Sequence, residues 1–126
     1  MPSTNTVRFP TLVLEKFIST ALHSLHMSEN DADDCARLMV ASDRAGFHTH
    51  GIFRLAQYVK RIKAGGINVK PNIKILNEAP ATALVDGDNA MGHLVAEFSM
   101  NVAIQKAGET GCAWVGVRHS NHAGAA

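Results

Sequence analysis

Apolar positions recur at helical spacing through the first half of the chain, and the period shortens in the second half. Leu14, Phe17, Ile18, Ala21, Leu22 and Leu25 mark a helix over Leu12–Leu25, with Thr11 placed to cap it. Ser28-Glu29-Asn30-Asp31 reads as a capping box with Asp in place of Glu, and its acids suit the positive end of the helix dipole. That second helix runs to about Arg44, buries Ala32, Cys35, Leu38 and Met39, and stops at Ala45-Gly46. A third follows Gly51 through Lys63 and closes at Gly65-Gly66. Asn72–Asn77 and Ala81–Asp86 then read as two short strands about a Glu78-Ala79-Pro80 turn, with a second turn at Asp86-Gly87-Asp88-Asn89. Helical spacing returns over Met91–Gly108, with Gly111 as its cap, and Cys112–Val117 reads as a buried strand.

The order of elements predicts an α/β chain: N-terminal helices, then a short mixed sheet with a crossover helix. Residues 1–10 read as a loose arm, 11–66 as a helical segment, and 67–126 as the start of an α/β domain. Three short strands make a thin sheet, and Ala123-Gly124-Ala125-Ala126 reads as the opening turn of a further helix. Both features suggest the front part of something longer.

Composition narrows the function. The formal net charge of the 126 residues is +1, and no long basic run occurs, which argues against a nucleic-acid partner. Residues 1–10 lack an apolar signal core, and no stretch approaches the roughly 20 apolar residues of a membrane span. A cytoplasmic protein with no membrane partner is expected. Cys35 and Cys112, isolated in such a chain, read as reduced and buried rather than bridged.

The chemistry concentrates in two places. If the chain is helical from Gly51, then His50, Arg54 and Tyr58 share one face, drifting about 40° per step. That face would carry a group able to move a proton, a fixed cation and a phenol. An arginine fork grips a carboxylate, and an imidazole supplies or takes a proton near neutral pH. Against this, His48-Thr49-His50 alone is common surface or capping chemistry, Arg54 alone a surface cation, and Tyr58 alone a half-buried aromatic. The second place is His119-Ser120-Asn121-His122, at the carboxyl end of the last strand, where α/β folds tend to bind ligands. His48, His50, His119 and His122 also allow a metal reading. It is set aside because no Cys or carboxylate joins them and no His-Glu-x-x-His helix occurs, so no metal site is expected. Gly87 and Gly92 do not form the Gly-x-Gly-x-x-Gly of an ordinary Rossmann fold, and the 86–89 cluster is too short for a calcium loop.

Taken together, several stretches resemble the malate/L-lactate dehydrogenase family, which also holds sulfolactate and ureidoglycolate dehydrogenases and piperideine-2-carboxylate reductases. They are Ala41-Ser42-Asp43-Arg44-Ala45-Gly46, Thr49-His50-Gly51-Ile52-Phe53-Arg54-Leu55, Tyr58-Val59, Arg61-Ile62, Gly65-Gly66-Ile67, Val85 to Gly92, Ala107 to Gly111, and Val117 to Gly124. The likeness covers nearly everything after the first ten residues.

The resemblance implies a non-Rossmann NAD(P)-binding fold and a hydride transfer between nicotinamide, as NAD or NADP, and a small 2-hydroxy or 2-oxo acid. By the same resemblance His50 is the proton donor or acceptor, Arg54 binds the substrate carboxylate, and Tyr58 lines the pocket. Thr49 stands where the family usually has Ser; it keeps the hydroxyl and adds a methyl that stiffens χ1. His122, Ala123, Gly124, Ala125 and Ala126 fall on the cofactor-touching segment, and in some members its His takes the acid/base role instead. Ala123 replaces a usual aromatic. Family members continue well past residue 126 and build their sites within dimers, so a homodimer is expected. Two other readings stay open: a truncated, non-catalytic folding or dimerisation module, and a His-rich metal binder.

Overall fold

The computed structural model describes residues 7–125. Three helices come first. Helix α1 spans Thr11–His23, α2 spans Glu29–Arg44 and α3 spans Leu55–Lys63. Strands β1 (Lys74–Ala79) and β2 (Thr82–Ala90), helix α4 (Gly92–Thr110) and strand β3 (Trp114–Ser120) follow. The sheet order is β1-β2-β3, with β1 antiparallel to β2 and β2 parallel to β3. Helix α4 is the crossover that parallel pairing demands. The chain is therefore mixed α/β, as its pattern predicts.

Two apolar clusters hold these elements. The larger joins Ile18 and Leu22 of α1, Cys35 and Met39 of α2, and Tyr58 of α3 to Met91. Fully burying side chains of this kind contributes about 1.5–3 kcal/mol each. The smaller cluster, Val85, Ala90 and Val95, seals the sheet against α4. Buried residues alternate along β2 at Ala83, Val85 and Gly87, so one sheet face meets the helix.

Several expectations need correction. Pro10, with φ −58°, stands at the N-cap of α1, so Thr11 lies inside the first turn and its side chain caps nothing. That helix ends at His23, because Leu25 N–H turns back to the Leu22 carbonyl and His26 takes a left-handed φ of 69°. Phe17 is exposed and Leu38 only half-buried. Ser28 does cap α2, its Oγ accepting from Asp31 N–H at 3.1 Å. Helix α3 begins at Leu55, four residues later than predicted; two 3-10 turns, His48–His50 and Ile52–Arg54, precede it. Glu78 and Ala79 belong to β1, and Ala79 pairs with Thr82 across a two-residue loop. Asp86-Gly87-Asp88-Asn89 is no chain reversal but a bulge within β2: Asp88 and Asn89 have φ of 48° and 57°, and the pairing with β3 slips between Asp86 and Ala90. Among the described residues strand β3 stands at the end of the sheet order, and Trp114 is 77% exposed where the apolar run predicts burial. Cys112 is exposed while Cys35 is buried, and both are free thiols.

One glycine fixes where the end of β3 meets α4. A Cβ on Gly92, the first residue of α4, would overlap the carbonyl of Asn121 and the backbone of His122. Replacing Gly by Ala within a helix normally stabilises by up to about 1 kcal/mol. Here the obstacle is backbone that cannot rotate aside. Gly92→Ala is expected to destabilise the protein by about 1–3 kcal/mol, the usual cost of overpacking, measured as a lowered urea midpoint. An unchanged or raised midpoint would mean that the 121–122 loop is not seated on the helix.

Candidate active site

The turn that carries His50 is shaped by a residue on α2. Asp43, in the last turn of α2, accepts Ile52 N–H on Oδ2 at 2.8 Å, and its Oδ1 lies 3.5 Å from His48 Nδ1. The carboxyl group occupies the space a Cβ on Gly51 would need. Gly51 therefore lets the chain press onto α2, and its backbone, at φ −92° and ψ −138°, breaks the helix before it starts. His50, Arg54 and Tyr58 are consequently not successive positions of one helical face. They are brought together by the loop instead. Arg54 folds back, donating from Nε to the Thr49 carbonyl at 2.9 Å and from Nη1 to Gln57 Oε1 at 2.7 Å. The Thr49 hydroxyl lies 2.9 Å from His50 Nδ1. Asp43 was present in the sequence motif, but no local pattern revealed its reach across nine residues.

His122 arrives from the other half of the chain. Its ring stacks on that of His50, with centroids 5.4 Å apart and an interplanar angle of 23°. Its Nδ1 lies 2.8 Å from the Tyr58 hydroxyl and 3.2 Å from Gly124 N–H. A backbone N–H can only donate, so Nδ1 is an acceptor and the ring proton sits on Nε2. Tyr58 has a proton to give, because burial pushes its pKa up to about 12, against a smaller opposing pull from Arg54. His122 is held below the ordinary imidazole range, first by its partial withdrawal from water, then by the positive charge of Arg54 and by His50. The neutral Nε2–H form is thus favoured both by bonding and by charge.

Beneath this pair lies a residue that the sequence reading did not single out. His93, in the first turn of α4, is 2% exposed, and neither ring nitrogen has a hydrogen-bond partner. It meets Tyr58 edge-on at 5.5 Å. Burial lowers its pKa to about 4, with His122 adding to the effect. Only the excess of histidines in the composition hinted at it.

Arg54, Tyr58 and His122 border a cavity of about 230 Å³ with Gln57, Arg61 and Asn121. Ala123 and Ala125 border a separate, mostly apolar cavity of about 530 Å³ beside Phe47, His93 and Met100. The loop after β3 therefore divides the two. Thr49, His50, Arg54, Tyr58 and His122 come together, with Ala123, Gly124 and Ala125 directly after; Ala126 lies outside the described residues. The other histidines stay apart. His48 is exposed beside Asp43, and His119 pairs with Asp86 at 3.2 Å. Asp86 is held at about 2 by Asp88 N–H first and then by Arg118 and His119. Among the described residues, no three His, Cys, Asp or Glu side chains gather in a way that could hold a metal.

A guanidinium beside two stacked imidazoles, next to a small polar cavity, is an arrangement suited to a small acid that exchanges a proton. Comparison with known proteins gives the same direction. A sequence model of malate/L-lactate dehydrogenase matches residues 9–126. The chain is 43% identical over 122 residues to a malate dehydrogenase of Pyrococcus abyssi, covering 97% of this chain and 34% of that protein. It is 43% identical over 112 residues to an L-sulfolactate dehydrogenase of Methanocaldococcus jannaschii, covering 89% of this chain and 33% of that protein. The solved malate dehydrogenase of Pyrococcus horikoshii superposes with a TM-score of 0.91 at 41% identity, over 97% of this chain and 35% of that one. The chain belongs to the malate/L-lactate dehydrogenase family. It spans about a third of the length of the relatives it matches.

The buried imidazole makes stability depend on pH. Above about 6.5, His93 is neutral folded and unfolded, and the fold keeps its full stability. As the pH falls from about 6.5 towards 4, the unfolded chain binds a proton that the folded chain refuses, so stability drops. The share of His93 is about 3 kcal/mol, at ~1.4 kcal/mol per pH unit, and the lowered pKa of His122 adds to the decline in the same direction. Asp86 weakens the fold only below its ordinary value of 3.8, outside this window. His93→Leu is expected to flatten the decline between pH 6.5 and 4 in urea unfolding. A variant with an undiminished slope would show that His93 is not the group responsible.

Proposed function

We propose that this chain belongs to an NAD(P)-dependent dehydrogenase that interconverts a small 2-hydroxy acid and its 2-oxo acid. The observation that carries the reading is the corner where the His50 and His122 rings stack beside Arg54 and above Tyr58. When bound, the nicotinamide supplies the hydride given to, or taken from, C2 of the substrate. The residues here fit such a group. Past the His122 imidazole, Ala123, Gly124 and Ala125 form a loop of small side chains that would let a flat ring approach the His50–His122 corner.

The chain's own groups divide the work. Arg54 already uses Nε and Nη1 within its loop, and its remaining donors hold the substrate carboxylate. His50 carries the proton: with Nδ1 facing the Thr49 hydroxyl, Nε2 serves the substrate oxygen. In the reducing direction that proton goes to the C2 oxygen as the carbon gains the hydride, and the hydroxy acid results. His122 stays neutral and donates from Nε2, orienting the same oxygen, while Gly124 N–H fixes its tautomer and Tyr58 holds the ring in place. The working form is read as a cytoplasmic homodimer. Exposed apolar residues on α1 and α4, among them Leu12, Phe17 and Ile104, support an assembled state. Among the described residues, no helix is long and apolar enough to cross a membrane.

In the full-length protein, His50→Ala is expected to lower kcat by about 10²–10⁴-fold, the usual contribution of a positioned acid/base. Nucleotide affinity, followed by NADH fluorescence, should barely change. Turnover near the wild-type level would refute the role. Arg54→Lys replaces a planar fork by a point charge. It should raise KM for the 2-oxo acid about tenfold or more, and an unaltered KM would remove Arg54 as the carboxylate clamp.

A further inference from the structure

A second guanidinium faces the 230 Å³ cavity. Arg61 lies seven residues beyond Arg54, about two helical turns along, and both border the cavity with Tyr58, Asn121 and His122. No carboxylate borders it among the described residues. Although exposed, Arg61 is a positioned side chain. Its Nε donates to Asn121 Oδ1 at 3.0 Å, and its Cγ lies 2.9 Å from where Gly66 would carry a Cβ. Asn121 is itself anchored. Its Nδ2 lies 2.9 Å from the Asn89 carbonyl, from Asn89 Oδ1 and from the Ala90 carbonyl. The guanidinium is thus gripped at one edge. Among the described residues, its terminal amino groups have no protein hydrogen-bond partner. Arg54 is the opposite case, with its Nε and Nη1 already engaged.

A ligand with one negative charge would satisfy one of these cations and leave the other in a cavity without a counter-charge. A ligand with two acid groups satisfies both. We propose that Arg61 is a second anion clamp, selecting 2-oxo acids that carry a further carboxylate or sulfonate over those that carry a single acid group. Arg54 takes the carboxylate next to the reacting carbon, and Arg61 takes the acid group at the far end. The inference rests on the dehydrogenase reading for the 2-oxo group alone; the preference for a dianion rests on the two guanidiniums.

The test compares full-length wild type with Arg61→Gln and Arg61→Lys, using oxaloacetate and sulfopyruvate as dianions and pyruvate as the monoanion. A charge-assisted contact of this kind corresponds to a change of about 10- to 100-fold. The Gln variant should raise KM for both dianions by that factor, leave KM for pyruvate and kcat nearly unchanged, and be partly rescued by Lys. Equal losses for all three substrates would mean that Arg61 only holds Asn121 in place, and no loss would mean that it touches nothing; either result overturns the proposal. Anion binding supplies an independent reading. At matched ionic strength, malonate should raise the melting temperature more than acetate does, and Arg61→Gln should erase that difference. Malonate no better than acetate overturns the clamp whatever the kinetics. If none of the three acids is turned over, the dehydrogenase reading falls, and the malonate comparison alone decides the role of Arg61.

Discussion

The bond between the Tyr58 hydroxyl and His122 Nδ1 joins groups 64 residues apart, and most of the site hangs on it. Tyr58 is 4% exposed and belongs to the larger apolar cluster, so its ring is set by core packing before its hydroxyl does anything. His122 is exposed and belongs to a loop. The bond thus transfers the rigidity of the helical core to a segment with little packing of its own. Gly124 N–H can only donate, so it makes Nδ1 the acceptor, and the Tyr58 hydroxyl then donates to the same nitrogen.

Two further constraints bring the halves into register. Asp43 presses the Gly51 turn onto α2 and so places His50 and Arg54 relative to Tyr58. On the other side, the bulge in β2 turns the Asn89 and Ala90 carbonyls towards Asn121. Asn89 Nδ2 also donates to the Gly66 carbonyl, and Asn68 Nδ2 donates to Asp88, so the bulge grips the segment after α3. Left-handed backbone at Asp88 and Asn89 is tolerable for these residue types, whose short polar side chains bond locally. A bulge beside a functional loop is a common way of re-aiming a strand end.

This division explains what could be read from the sequence. Helix α2 was legible because its cap, its apolar period and its stop are all local: Ser28, then Ala32, Cys35 and Met39, then Gly46. The break at Gly51 was not, because it depends on a carboxylate nine residues earlier that helical periodicity ignores. The 86–89 stretch was recognised as turn-forming, and its residues do adopt turn-like angles, but pairing with β3 carries the strand through it. Strand β3 looked buried because Trp114, Val115 and Val117 are apolar; its place in the sheet order is decided by topology, not composition. A folded loop, rather than the helical face that the spacing predicts, sets His50 and Arg54 relative to Tyr58. His93 carried no signal beyond its type. A buried imidazole and an exposed one look alike until packing separates them.

The charge distribution explains why this corner would be built so tightly. Arg54 and Arg61 border one small cavity with His122, and among the described residues no carboxylate borders it. Such a concentration of like charge opposes folding and strengthens anion binding, and His122 and the buried His93 beside it are both biased towards the neutral form. The guanidiniums keep their charge, so among the described residues of this corner the imidazoles are the groups that can change theirs. Of the two stacked rings, His122 is tied by Tyr58 and Gly124 into the neutral form, whereas the bonding of His50 to a hydroxyl is compatible with either protonation state. A hydroxyl can accept as well as donate; a backbone N–H cannot. That asymmetry, more than the stacking itself, separates the two rings: one is locked by a donor that cannot turn, the other faces a hydroxyl that can.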